Sequence, residues 1–342
     1  MQKPDLIYVA GHCGLVGSAL VRALGTAGYR NLLLRTRFQL DLRDQSAVRH
    51  FFRSTRPDHV FLAAARVGGI LANATRPGEF IADNLAIQSN VIGAAREFGT
   101  RRLLFLGSSC IYPRDAPQPM SERCLLSGPL ETTNRAYAVA KIAGIELCRA
   151  FHRQYGMRCL AVMPANLYGP WDHDDAERAH VIPALVRKVL EAKRRGRPEV
   201  VVWGTGRALR EFLHSDDLAA ACLLLMQLPD KEFDRLLADD GIAPLVNVGS
   251  GKEISIAELA ALVAELAGYG GRLAFDRSRP DGTPRKLLDS SRIAVLGWRP
   301  KVTLREGLAK LLAAAEQEVK LAEEPVPQTS PASAPHPSPF PR

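Results

Sequence analysis

LIYVAGHCGLVGSALVRALGTAG, residues 6–28, reads as three pieces in a fixed order. LIYVA (6–10) is a short apolar run of strand length. GHCGLVG follows, with glycines at 11, 14 and 17, and SALVRALGTAG (18–28) has helical spacing. Glycine lets the backbone turn tightly after a strand and lets a pyrophosphate approach it. The unpaired N–H groups at the start of the helix then receive the anion. The spacing is GxxGxxG rather than GxGxxG, so the order strand, turn, helix carries the reading more than the motif itself. The contacts this turn offers a dinucleotide are Gly11, Gly14, Leu15, Val16 and Gly17.

Beyond the turn, short apolar runs keep alternating with helical patterns. NLLLR (31–35), HVFLAAA (59–65), RLLFLGSS (102–109) and RCLAVMPAN (158–166) read as strands. QSAVRHFFRST (45–55), FIADNLAIQSNVIGAAREF (80–98) and AYAVAKIAGIELCRAFHRQYG (136–156) read as helices. Buried strands separated by helices mean a parallel sheet covered on both faces. The expected fold is α/β: a Rossmann-type doubly wound parallel sheet with a smaller C-terminal α/β substrate-binding domain. Residues 1–168 are expected to form the dinucleotide-binding part, joined by some later segments, and 169–320 to be mainly substrate-binding. The tail 325–342, with seven prolines in eighteen residues, cannot bury a core and reads as disordered.

The second strand chooses between cofactors. An NAD site offers an acid about 20 residues after the turn, for the ribose 2′-hydroxyl. Here the chain reads LLLRTRFQLDL, with Arg35 and Arg37 in that place. Guanidinium forks suit a 2′-phosphate, which argues for NADP(H). Asp41 and Leu42 stand just beyond, where the adenine amino group would be.

Tyr137 and Lys141 form a YxxxK pair, one turn apart on the same face of a helix. A neighbouring ammonium favours the phenolate, so the tyrosine pKa is expected to fall and a proton can pass to or from a carbinol oxygen. Ser108 follows the strand RLLFLG at its C-terminal end, the end where open α/β sheets bind ligands. In LGSSCIYP (106–113), strand alternation would send Ser108 and Cys110 to one side, with Ser109 away from them, capping the turn.

Composition narrows the partners. Formal net charge is +9, which suits anionic ligands. No basic block or zinc-finger spacing appears, which argues against nucleic acid and against a metal site. No apolar stretch reaches the ~18 residues of a membrane span. Six scattered cysteines without a CxxC pair read as reduced thiols of a cytoplasmic protein.

The segments GHCGLVGSAL, AAARVGGI, LFLGSSCIYP, AYAVAKIAGIELC, VMPANLYGP, HVIPAL, VVWGTG and REFLHSDD together resemble the GDP-L-fucose synthase family. Its members are extended short-chain dehydrogenase/reductases. The resemblance runs from about residue 6 to 320. It implies epimerisation at C3 and C5 of GDP-4-keto-6-deoxy-D-mannose, then reduction at C4 with NADPH. It also implies Cys110 as base, His180 as acid, Ser108 and Tyr137 on the O4 oxygen, and Lys141 on the nicotinamide ribose, with Lys141 and His180 among the cofactor contacts. Lys188, Trp203, Arg210 and Asp281 would line the GDP site, and a homodimer would form through the helices at about 80–98 and 136–154.

The plain alternatives are a core cysteine, a structural histidine, a solvated Lys188, a core Trp203 and an Arg210 ion pair. The chain also departs from its relatives. Cys13 stands where many carry Arg, Arg135-Ala136 where they often carry Glu-Pro, and the loop 171–180 is altered and adds His173. Two other readings stay open. One is an NAD-dependent 4-epimerase or 4,6-dehydratase, although a dehydratase would carry an acid pair where this chain has Ser109-Cys110. The other is a non-catalytic NADP-binding sensor or scaffold.

Overall fold

The structure, a computed structural model, describes residues 1–170, 172, 180–238, 241–279 and 281–323. The proline-rich tail and most of the 171–180 loop, His173 included, lie outside the described residues.

Strand β1 (Ile7–Ala10) leads through the glycine turn into α1 (Leu15–Thr26). β2 (Leu32–Leu33), α2 (Gln45–Thr55) and β3 (His59–Leu62) follow. Then come α3 (Ile70–Thr75), α4 (Pro77–Glu97), β4 (Arg102–Leu106), α5 (Arg135–Tyr155) and β5 (Cys159–Pro164). Asp44 caps α2 by accepting from the Ala47 N–H, which fixes that helix at the residues its spacing predicts. β1, β3, β4 and β5 are buried along their whole length, as strands with helices on both faces must be.

The chain then alternates between two layers. β6 (Asn166–Tyr168), α6 (Val181–Arg194), β7 (Glu199–Trp203) and β8 (Leu209–His214) lie outside the main sheet. α7 (Ser215–Gln227) packs on α1, and α8 (Asp230–Leu237) packs on β5. β9 (Leu245–Val248) pairs with β5 and completes a six-stranded parallel sheet in the order β2-β1-β3-β4-β5-β9. β10 (Glu253–Ser255) and β12 (Arg285–Lys286) flank β8, while β11 (Arg272–Asp276) pairs with β7. α9 (Ile256–Ala267), α10 (Ser291–Ala294) and α11 (Leu304–Glu323) complete the described elements.

Two apolar cores result. One surrounds the six-stranded sheet. The other joins α6, α9 and α11 through Ile182, Val186, Val189, Leu259, Val263 and Leu308. The strand order reverses between β1 and β3, and the glycine turn lies at that switch point, where such sheets bind ligands.

The cysteines differ from their sequence reading. Cys148 and Cys159 are paired as a disulfide joining α5 to β5, and Cys13, Cys110, Cys124 and Cys222 are free. The pair is eleven residues apart. The chain turns back at Gly156, the left-handed C-cap of α5, and this brings together two positions that spacing alone does not connect.

Candidate active site

The glycine turn is closed on itself. Gly11 has φ +86°, and a Cβ built there would come 2.7 Å from the Ala64 amide nitrogen. A Cβ on Gly17 would come 2.0 Å from the Gly11 carbonyl oxygen. Only glycine permits this approach of helix to strand. Gly14, the N-cap of α1, is extended and offers no side-chain acceptor to the first helical N–H groups. Leu15 and Val16 begin the helix, half-buried. The turn therefore fits a pyrophosphate on both counts, space and donors.

Arg35 and Arg37 are exposed just past β2. The Arg35 guanidinium lies 5.7 Å from the Phe51 ring centre and donates to the Leu34 carbonyl. Arg37 reaches Asp41 only at 4.0 Å, because Arg43 holds that carboxylate at 2.6 Å. The Arg43 hydrogen bonds keep the Asp41 carboxyl down at about 2. Leu42 is buried in the core, with its carbonyl accepting from Asn90.

LGSSCIYP is a strand end followed by a single tight turn. β4 stops at Leu106, Ser108 is extended, and Ser109–Ile111 form a 3-10 turn. The Ser108 Oγ accepts from the Cys110 N–H at 3.4 Å. Ser108, not Ser109, is thus the cap, and the cap rather than the strand pleat brings Ser108 and Cys110 together. The turn is anchored from behind. The Tyr112 hydroxyl donates to Asn247 Oδ1 at 2.5 Å, and the Asn247 N–H donates to Glu122 Oε1 at 3.0 Å.

α5 lies against β4. A Cβ on Gly144 would come 2.6 Å from the Phe105 ring and 2.9 Å from Gln88 Oε1, so glycine sets the closeness of the two elements. Lys141 is consequently only 2% exposed. Its ammonium donates to the Leu106 carbonyl at 2.7 Å and lies 5.7 Å from the Tyr137 ring centre. Burial pulls Lys141 down to about 8. The expected fall of the tyrosine pKa is not found. Burial pushes the Tyr137 hydroxyl well up, and charge on Cys110 adds to the rise. Desolvation is the larger of these two causes.

Cys110 is buried, and burial pushes its thiol up. The Lys286 ammonium opposes this most strongly, ahead of the Ser108 hydrogen bond and Lys141. His180 is the exposed N-cap of α6.

Between α6 and β7, Lys188 donates to the Val201 carbonyl at 3.0 Å and lies 5.3 Å from the Trp203 ring centre. Trp203 is 53% exposed, which rules out the core reading. Arg210 donates to the carbonyl of Asp281, not to its carboxylate, which is bound instead by Thr205 at 2.7 and 2.8 Å. Burial lowers the Arg210 pKa. Two residues missed in the sequence join these groups. Arg279 lies 5.0 Å from the Trp203 ring centre. Lys286 aligns with Arg210 across β12 and β8. Neither sits in a periodic segment, so no local signal marks them.

A closed glycine turn, a buried YxxxK lysine at a strand end and a basic second layer define a nucleotide-sugar enzyme of the extended reductase type. Residues 7–236 match the NAD dependent epimerase/dehydratase family, and the chain belongs to it. Its resemblance to GDP-L-fucose synthases spans nearly the whole sequence. It is 55% identical to a probable GDP-L-fucose synthase 1 of Oryza sativa subsp. japonica, over 90% of this chain and 91% of that one. It is 52% identical to the GDP-L-fucose synthase of Escherichia coli, over 89% and 94%. A GDP-mannoheptose C4 reductase from Campylobacter jejuni, solved with NADP bound, superposes with a TM-score of 0.83 at 38% identity, over 92% and 99%.

Proposed function

We propose that this chain converts GDP-4-keto-6-deoxy-D-mannose to GDP-L-fucose with NADPH, by 3,5-epimerisation and then reduction of the 4-ketone. The observation that carries the reading is the buried Cys110, on the turn capped by Ser108, beside the α5 face that carries the buried Lys141 and the half-buried Tyr137. Simple reduction needs only the serine, tyrosine and lysine. A thiol among them supplies the base that epimerisation also requires.

Hydrogens next to a ketone are acidic because the enolate spreads its charge onto the carbonyl oxygen. Cys110 as thiolate removes such a proton, and Ser108 and Tyr137 hold the developing O4 oxyanion. His180 returns a proton from the other face, inverting the carbon. One round at C3 and one at C5 complete the epimerisation. Tyr137 then gives its proton to O4, and Lys141 orients the nicotinamide ribose. NADPH, when bound, supplies the hydride to C4. Gly11, Gly14, Leu15, Val16 and Gly17 hold its pyrophosphate, with Arg35 and Arg37 on the 2′-phosphate and Asp41 and Leu42 beside the adenine. Lys188, Arg210 and the Trp203 wall take the GDP, with Asp281 shaping that wall through Thr205.

The test is to incubate the protein with GDP-4-keto-6-deoxymannose and NADPH, following loss of reduced-cofactor absorbance and identifying the product. GDP-L-fucose supports the reading, and absence of turnover by folded protein overturns it. In the same assay, replacing Arg35 and Arg37 together with Ala should weaken NADPH binding by about tenfold or more, since each charged hydrogen bond contributes about 1.5–3 kcal/mol. NADH binding should hardly change. Equal losses for both cofactors would show that neither arginine reads the 2′-phosphate.

Assembly belongs to the same proposal. α4 and α5 pack side by side, and Ile81, Leu85, Val139 and Ala143 on them stay partly exposed. A second copy laid on this face makes a four-helix homodimer. Light scattering at micromolar concentration should give twice the chain mass, and a monomer would rule the dimer out. No helix of the described residues is long and apolar enough to cross a membrane.

A further inference from the structure

Arg35, Arg37, Asp41, Arg43 and Asp44 all lie between β2 and α2. Asp44 is taken as the cap of α2, which leaves Asp41 to the arginines. The Thr36 carbonyl accepts from the Gln39 N–H at 3.0 Å and from the Leu40 N–H at 2.9 Å, and the Thr36 N–H donates to Gln39 Oε1 at 2.9 Å. This tight turn brings Arg37 round to Asp41, four residues on. Among the described residues, Asp41 is the one carboxylate within ion-pair reach of Arg37.

Arg43 holds that acid first. Its Nη2 donates to Asp41 Oδ2 at 2.6 Å, its Nε to Oδ1 at 3.0 Å, and its backbone N–H to Oδ1 at 3.0 Å. Arg37 faces the same Oδ2 from 4.0 Å. A planar fork on both carboxylate oxygens is the stronger geometry, and Arg43 acts on the Asp41 charge more than Arg37 does. Arg43 is also fixed from behind. Its Nη1 donates to Asp83 Oδ1 at 3.3 Å, and Asp83 Oδ2 accepts from Arg66 at 2.9 Å. Asn90 donates to the Leu42 carbonyl at 2.9 Å. Asp83 and Asn90 stand two turns apart on one face of α4, so that helix grips the loop at Leu42 and again at Arg43. Arg37 is left with its side chain 67% exposed.

We propose that Arg43 is a positioning residue for cofactor choice: by occupying Asp41 it keeps Arg37 open to the 2′-phosphate of NADPH. This rests on Arg37 reading that phosphate. Arg43 itself needs no contact with the cofactor. Without it, Oδ2 is vacant, Arg37 closes on it as an exposed ion pair, and binding of the phosphate must first open that pair.

Titration of reduced-nicotinamide fluorescence gives dissociation constants for NADPH and NADH without turnover, and their ratio is the readout. Contacts of Asp41 with adenine are common to both cofactors and cancel in it. Arg43→Ala should lower the preference for NADPH about two- to fivefold, the size of an exposed ion pair. Asp41→Asn alone should shift both constants alike and leave their ratio. Added to Arg43→Ala, it should restore the ratio, because no acid then remains to trap Arg37. The double-mutant cycle separates this from a change in summed charge. A charge effect would have Asp41→Asn raise the ratio equally in both backgrounds, and that result overturns the proposal. So does a double variant whose ratio stays low, or an unmoved ratio in Arg43→Ala where Arg37→Ala lowers it. If Arg37→Ala leaves the ratio unmoved, the reading of Arg37 falls and this proposal with it. Should Arg43→Ala not fold by circular dichroism, Arg43→Met, which keeps the stem, takes its place.

Discussion

Cys110→Ser should nearly abolish exchange of the C3 and C5 hydrogens with deuterated water, by about a hundredfold to ten-thousandfold, the range of a positioned general base. The substitution is nearly isosteric. The backbone bond from the Cys110 N–H to Ser108 survives it, so the 3-10 turn should keep its shape. What changes is acidity. A free thiol titrates near 8.5, whereas an alcohol is a far weaker acid and leaves almost no anion at neutral pH. Mass spectrometry of the recovered sugar nucleotide reads deuterium directly. Exchange at the wild-type rate would make Cys110 a packing residue and remove the case for epimerisation.

Tyr137→Phe should split the chemistry at the opposite point. It deletes the proton donor to O4, so reduction should fall by about a hundredfold or more. Some exchange should survive because Cys110, Ser108 and His180 remain. The phenyl ring keeps the edge contact with Phe80, at 6.3 Å between ring centres, so α5 should stay seated. Burial raises the pKa of the wild-type hydroxyl, which keeps it protonated and makes it a weaker acid, so its proton moves only as negative charge develops on O4. Single-turnover absorbance change measures the reduction. An unchanged rate would mean that another group protonates O4. Folding and NADPH binding of both variants must be shown first, since a displaced strand end would mimic either result.

Most of the site was legible because its parts are local. The glycine turn, the end of β4 and the YxxxK face of α5 are each short segments whose geometry follows from strand and helix periods. The four long strands and α2 were legible for the same reason. Other features depend on distant segments meeting. β12 is too short to show any period, yet its register sets Lys286 beside Arg210. Arg279 reaches Trp203 only because β11 pairs with β7. Cys148 meets Cys159 across a left-handed turn. Desolvation of Tyr137 is likewise a property of packing, which the i, i+4 spacing does not contain.

The buried link from Tyr112 to Asn247 joins positions 135 residues apart. During synthesis, N-terminal regions leave the ribosome first. The glycine turn, β4 and α5 are all made before residue 156, so a nascent chain owns its dinucleotide half early. The Cys110 turn, two residues before Tyr112, still lacks its anchor at that stage. Asn247 must arrive, bond Tyr112 and Glu122, and also reach the Met120 and Asp289 carbonyls. An unfinished chain therefore holds the glycine turn and the Tyr137 and Lys141 face of α5 before the Cys110 turn has its anchor, and that turn locks only when β9, the final strand of the six-stranded sheet, docks.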